Sequence, residues 1–242
     1  YILAIDQGTS STRAALIDKK GIIVDQESVE FKQIYPANGW VEHDPLEIMQ
    51  TVKSTITTIF ERNKIIQNDI LSCGITNQRE TIVAWDKVTG KPLYNAIVWQ
   101  DRRTHDICQN LVDKDYTNLI QEKTGLIIDP YFSASKIQWL LENIKDQKNL
   151  IVGTIDTWII WNLTNKTKHL TDITNASRTM LYNIADEVWD HEILDLFNIS
   201  ESILPTVQSN KDDFGTIHSD HFGIEIPIGG VIGDQQSASL GQ

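Results

Sequence analysis

Cysteine is scarce in this sequence: Cys73 and Cys108 are the only two among 242 residues. They lack the spacing of a metal site. Buried free thiols are the expected state, although a disulfide between them stays open at this level. Long hydrophobic runs are lacking too. No stretch approaches the ~18 apolar residues of a spanning helix, and no leader pattern precedes Tyr1, so a cytoplasmic address is expected. Cations are outnumbered, with 21 Lys and Arg against 33 Asp and Glu. The resulting net charge of −12 repels polyanions, which argues against nucleic acid and anionic membrane as partners, and without a spanning run no membrane insertion is expected. Neither GxxxxGK[ST] nor GxGxxG occurs, so the two commonest nucleotide signatures are missing. Low-complexity tracts and solenoid repeats are absent.

What is there is ordinary globular usage, 40% apolar and 22% charged, enough for one large core or two small ones. The first residue is not Met and already lies in a strand-like run, while SASLGQ at the other end stops inside a helical pattern; a fragment of a longer protein is expected. Runs at 2–5, 13–17 and 22–30 predict an antiparallel meander, turned at Gly8 and at 18–21. Asp44, Pro45 and Glu47 predict a helix start with a capping box, and Ile48, Val52, Ile56, Ile59 and Phe60 give that helix one core face. Segments 70–76 and 81–86 read as strands joined through NQRE, and 96–100 as a third short strand. Ile137, Leu140, Leu141 and Ile144 mark a second helix. The period at 153–164 is unclear and is read as helix, 177–184 as strand, and 190–199 as a short helix. The chain closes as strand, Gly-rich turn, Asp234 and helix. This order implies an α/β fold, a mixed sheet with helices on its faces.

Three constellations carry chemistry. After the first strand, Asp6 is followed by Gly8, Thr9, Ser10, Ser11 and Arg13. A Gly with φ > 0 there would turn backbone N–H groups into one concavity, the hydroxyls would add donors, Arg13 charge, and Asp6 a ligand for hydrated Mg²⁺. The same residues also suit a plain Ser- and Thr-rich turn. Asp234 after a Gly-rich turn is a helix cap or a catalytic carboxylate at a sheet's edge; paired with Asp6 it suggests two carboxylates on neighbouring strands facing one cleft. Arg79 and Glu80 form either a solvated hairpin pair, which composition favours, or a clamp of forked donors and an acceptor for hydroxyls. Tyr131 precedes the second helix as a candidate wall or a core aromatic with a wet tip.

Seven stretches, DQGTSSTR, WVEHDP, GITNQRET, NAIVWQDRR, IDPYFSASKIQWLLEN, TDITNASRTM and GDQQSA, span the chain. Together they resemble the family of carbohydrate kinases that includes the glycerol, gluconate, xylulose and fuculose kinases, with NQRE and IVWQDRR particular to the glycerol kinases. The resemblance implies an RNase-H-like (actin/hexokinase-type) domain over 1–242, the N-terminal half of a two-domain kinase using ATP and Mg²⁺, assembled as a dimer or tetramer. It further implies that Arg79, Glu80, Tyr131, Asp234 and Gln235 bind glycerol hydroxyls, that Trp99 lies along the carbon chain, that Thr9, Ser10, Ser11 and Arg13 meet nucleotide phosphates, and that Asp6 sits near the metal. Phosphoryl transfer to an alcohol needs a base within hydrogen-bond reach, the role expected of Asp234. The segment FGTIHSDHFGIEIP lacks the Arg of family members inhibited by fructose 1,6-bisphosphate. Its DHFG resembles members activated when a histidine phosphocarrier protein phosphorylates a loop histidine, which makes His221 the candidate; an exposed histidine without a task is the alternative. The competing readings are a kinase for another polyol or ketose, and a non-catalytic actin-like nucleotide module.

Overall fold

In the first strand Leu3, Ile5 and Gln7 are buried while Ala4 and Asp6 face the other side, the period-2 pattern of a strand with one face on a core. The structure, a computed structural model, describes residues 1–242. It begins with β1 (Ile2–Gln7), β2 (Ser11–Ile17), β3 (Ile23–Glu30), β4 (Glu42–His43) and α1 (Pro45–Asn63). β5 (Ser72–Asn77), β6 (Ile82–Asp86) and β7 (Ala96–Ile97) lead to α2 (His105–Asp113), α3 (Thr117–Thr124) and α4 (Ser133–Asn143). β8 (Leu150–Thr154) runs into α5 (Ile155–Leu163), and β9 (Leu170–Asp172) into α6 (Ile173–Ala176). Then come β10 (Tyr182–Asn183), β11 (Val188–Trp189), α7 (His191–Leu196), β12 (Thr206–Gln208), β13 (Thr216–Ile217), α8 (Ser219–Phe222), β14 (Ile226–Gly233) and α9 (Asp234–Gly241).

The main sheet has the order β13-β14-β5-β1-β2-β3. Its β1-β2-β3 meander is antiparallel, as expected, while β5 and β14 run parallel to β1. Leu3, Ile5, Leu16, Cys73 and Ile75 pack with Ile48, Val52, Ile56 and Ile59 of α1 and with α5 in a first core. A second sheet, β4-β7-β6-β8, is buried on both faces: Val83 and Trp85 join the first core, and Ile82 and Ala84 a second one with Ile137, Leu140 and Ile193. Two cores therefore share one sheet.

Several local expectations are corrected. β5 and β6 are not a hairpin; they belong to different sheets, so NQRE crosses from one to the other. The capping box is half made: Asp44 accepts the Leu46 N–H (2.8 Å), but Glu47 accepts the Lys32 N–H (3.1 Å). Strand pairing stops at Ile97, and a turn from Val98 to Asp101 follows. Only Tyr182–Asn183 of 177–184 is strand. The Gly-rich stretch at 229–230 is a bulge inside β14 and not a turn, with Gly229 lying so near Ser72 that a Cβ would stand 2.7 Å from its hydroxyl. α5 is buried on every side except at Asn162, which is why it shows no period. Cys73 and Cys108 are free, buried thiols.

Candidate active site

Three connections leave the main sheet at its carboxyl edge: the turn after β1, NQRE after β5, and the Gly233–Asp234 junction after β14. Asp6 and Asp234 do not end neighbouring strands. β5 runs between β1 and β14, and Thr76 lies beside Asp6 on one flank and Ile232 on the other. Two strand spacings, about 10 Å, separate the carboxylate-bearing strands. They still sense one another: burial pushes the Asp6 carboxyl up, Arg13 pulls it down, and the Asp234 charge pushes it up again. Arg13 is the register partner of Asp6 across β1 and β2, so both side chains leave the same face. Asp6, Thr76, Ile232 and Lys211 line a cavity of about 360 Å³ on that face, where the Thr76 Oγ1 is buried without a hydrogen-bond partner.

The turn after β1 is held by its carbonyls. Gly8 O accepts from the Gln7 and Gln78 side-chain amides (2.8 and 3.0 Å), Thr9 O from Gln33 Nε2 (3.0 Å), Ser10 O from Phe31 N–H (3.3 Å) and Ser11 O from Gly8 N–H (2.9 Å). The N–H groups of Thr9 and Ser10 make no hydrogen bond. Two unpaired backbone donors therefore lie in the turn that leads to Arg13. Gly8 does not have φ > 0; a Cβ there would stand 3.3 Å from Ser11 O, a tight contact that the turn would have to relieve. Gln7, Gln33 and Gln78 were not recognised from the sequence, where a glutamine beside an apolar run reads as an exposed residue.

Arg79 and Glu80 are no solvated pair. Glu80 is 1% exposed, in the left-handed conformation at φ 61°, with its carbonyl accepting from Ser133 Oγ (2.9 Å). A non-glycine residue there costs of order 1 kcal/mol, a strain found most often at ligand sites. Its carboxylate accepts from Arg178 Nε at 2.7 Å. Burial pushes the Glu80 carboxyl up, while the Arg178 bond and the Arg79 and Lys136 charges draw it down. Arg79 Nε stands 3.2 Å from Asp234 Oδ1, near enough for ion pairing but not aligned as a hydrogen bond, so Nε remains an unused buried donor. The Arg79 stem crosses Gly233, where a Cβ would lie 2.5 Å from Arg79 Cδ. The helix cap is Gly233; Asp234 is the first helical residue and accepts the Gln235 N–H at 2.7 Å, with Gln235 exposed beside it.

Trp99 and Tyr131 meet with ring centroids 5.4 Å apart, and Trp99 Nε1 donates to Thr9 Oγ1 at 3.0 Å, which ties the aromatic wall to the turn after β1. The Arg178 guanidinium lies 5.6 Å from the Tyr131 ring centroid and 4.9 Å from that of Phe132. Buried Lys136 donates to the carbonyls of Pro130, Tyr131 (2.9 Å) and Phe132 (3.1 Å) and so fixes the loop that carries the wall; burial draws its pKa down to about 7. Arg178 and Lys136 have no site-like spacing in the sequence. His221 is elsewhere: α8 precedes β14 at the end opposite Asp234, on the order of 20 Å away along the strand. Its Nε2 bonds to Asn162 O at 3.0 Å, and burial first, then Lys53, draws its pKa down.

Buried Glu80, the Arg79 and Asp234 pair and the unpaired turn amides thus belong to loops at one sheet edge, and the chain belongs to the FGGY family of carbohydrate kinases, whose N-terminal domain model matches residues 1–241. It is 53% identical over 249 residues to a glycerol kinase of Ligilactobacillus salivarius, with 100% of this chain and 49% of that protein covered. Among solved structures it superposes on Plasmodium falciparum glycerol kinase with ADP at TM-score 0.95 and 43% identity, covering 99% of this chain and 49% of the other. Ligand-bound xylulose kinase from Lactobacillus acidophilus gives TM-score 0.88 at 26% identity, with 100% and 49% covered. The expected actin/hexokinase-type α/β fold is thereby established. The chain spans about half the length of the curated relatives it matches.

Proposed function

We propose that this chain is the N-terminal domain of a two-domain, ATP-dependent glycerol kinase, and that its cleft binds glycerol and the transferring phosphate. One observation carries the reading: Arg79 stands against Asp234, Arg178 holds Glu80 beside Tyr131, and Trp99 ties the aromatic wall to the turn that bears the unpaired Thr9 and Ser10 amides. Each of three vicinal hydroxyls needs a partner once water leaves a closed cleft. Glu80 accepts, Arg79 and Gln235 donate, and Trp99 and Tyr131 flank the carbon chain. Asp234 accepts the proton of the attacking terminal hydroxyl, and the Arg79 charge beside it holds that carboxylate in place. Thr9, Ser10, Ser11 and Arg13 meet the phosphates of ATP.

Asp6, with Asp234 two strands away and an unpartnered Thr76 hydroxyl between, suits a Mg²⁺ that keeps most of its waters; no group of three or more ligating side chains forms a cage. The ion supplies charge neutralisation on the polyphosphate. We assign the sequence to the cytoplasm and expect the full-length protein to form dimers or tetramers.

Chromatography of products from the full-length protein incubated with ATP and glycerol, erythritol or xylulose tests the reading. Glycerol 3-phosphate is the expected product, a longer sugar being expected to clash with Trp99; preferential xylulose phosphorylation overturns it. The 242-residue chain alone should be inactive, since cleft closure needs a second domain. The remote His221, with Nε2 fixed on Asn162 O and Nδ1 left free, is the proposed acceptor for a histidine phosphocarrier protein. Unchanged activation by that protein in the full-length H221A variant rules this out.

A further inference from the structure

The stretch TDITNASRTM has no part in the function so far. Structurally it touches both the NQRE connection and the Gly233–Asp234 junction. Asp172, fully buried, accepts from Thr174 N–H (2.7 Å), Thr174 Oγ1 (2.5 Å), Asn175 N–H (3.2 Å), Asn175 Nδ2 (2.6 Å) and Asn210 Nδ2 (2.6 Å). From this anchor one arm reaches the Asp234 side: Thr174 Oγ1 accepts the N–H of Gly233 at 2.8 Å, directly before Asp234. The other reaches NQRE: the Asn175 and Asn77 amides pair reciprocally (2.9 and 3.0 Å), Asn77 Nδ2 also donates to Gln78 O (2.9 Å), and Arg178 Nε holds Glu80 Oε1 at 2.7 Å. No buried side-chain polar atom of the segment lacks a partner, which makes the network rigid and intolerant of partial loss.

Arg178 differs from the rest of the segment. Its side chain is 25% exposed, and its terminal nitrogens make no hydrogen bond within the chain, while its plane lies against Tyr131 and Phe132. A guanidinium placed this way turns one carboxylate oxygen of Glu80 into a fixed partner and leaves the other to the cleft.

We infer that the segment from Asp172 to Arg178 is the positioning element of the site, with Arg178 presenting the Glu80 carboxylate to a polyol hydroxyl and Thr174 setting the start of the helix that carries Asp234. This rests on the glycerol kinase reading and adds to it the residues that align its two carboxylates. The charged groups facing Glu80 are Arg178, Arg79 and Lys136; with Arg178 gone, burial dominates and the carboxyl is driven further up.

Steady-state kinetics of the full-length enzyme test it. R178Q should raise KM for glycerol about 10- to 100-fold with a smaller change in kcat, and KM should climb further as pH is lowered from 8 to 6, a slope weaker in the wild type. R178K, which keeps the charge, should restore most of the pH profile. T174V should lower kcat about tenfold at nearly constant KM, and T174S should restore it. Thermal unfolding of each variant separates mispositioning from misfolding. If the wild type turns over glycerol while R178Q and R178K match it in KM and pH profile, or T174V matches it in kcat, the positioning role is overturned and the functional reading stands. A wild type that ignores glycerol overturns the functional reading itself and the polyol contact assigned to Arg178 with it.

Discussion

The two walls of the cleft are built to opposite rules. On the side proposed for the polyol nearly every charged group already has a partner: Glu80 is held by Arg178, Arg79 stands against Asp234, and Tyr131 rides on a loop whose carbonyls Lys136 gathers. On the phosphate side the carbonyls are all occupied and the donors are free, with two N–H groups and an exposed Arg13 facing outward. A neutral polyol brings little charge of its own, so its site must be rigid and shaped beforehand. A polyphosphate brings strong charge and finds donors by electrostatics, so fixed carbonyls and free amides suffice.

If the polyol wall is preorganised for chemistry, damage there should be severe and specific. Asp234→Asn keeps the shape and removes the base; kcat should fall about 10²- to 10⁴-fold with little change in KM, measured by coupled assay on the full-length enzyme. Near wild-type turnover would remove the base assignment. Glu80→Gln comes next, with KM for glycerol up about 10- to 100-fold, because the Arg178 guanidinium and a substrate hydroxyl lose their shared anion. An equal rise in KM for ATP would erase the distinction between the walls.

The sequence made the residue types of this site legible but not their surroundings. Asp6, Arg79, Glu80 and Asp234 could be picked out because each follows a strand-like run, and strand ends collect chemistry. Their order across the sheet could not, since the insertion of β5 between β1 and β14 is a long-range pairing with no local signal. Trp99 was misplaced onto a strand because VWQ continues an apolar run; tertiary context ends the pairing at Ile97 and turns the indole toward Thr9. α5 was obscure for a physical reason. A segment buried on all sides loses the polar-apolar alternation from which burial is inferred.

The scaffold behind the phosphate wall sharpens the comparison through pH. Gln33, which holds Thr9 O, is itself held by His43 Nε2 at 2.7 Å, and burial draws the His43 pKa from 6.5 down to about 4. Between those values the unfolded chain takes up a proton that the folded one refuses, so stability falls as pH drops through that window, by up to about 3 kcal/mol. His169, drawn down to about 4 as well, adds a similar slope. His43→Gln should therefore lessen the loss in unfolding free energy between pH 7 and pH 4 by up to about 3 kcal/mol. Chemical denaturation at a series of pH values measures it, and an unchanged slope would mean that His43 is hydrated in solution.

Arg13 offers the mildest test and the one most diagnostic of the open wall. It is exposed, opposite Asp6, and has no hydrogen-bond partner. Arg13→Ala should raise KM for ATP only about three- to tenfold, since an exposed charge is screened by water and salt. The wild-type advantage should shrink as ionic strength goes from about 0.05 to 0.5 M, where the Debye length falls well below the reach of the side chain. KM for glycerol should be insensitive to the same salt range, because the Glu80 and Arg178 contact is buried. Equal salt dependence of the two KM values would mean that both walls work by long-range attraction, and that the pairing seen around Glu80 has no role in preorganising the polyol site.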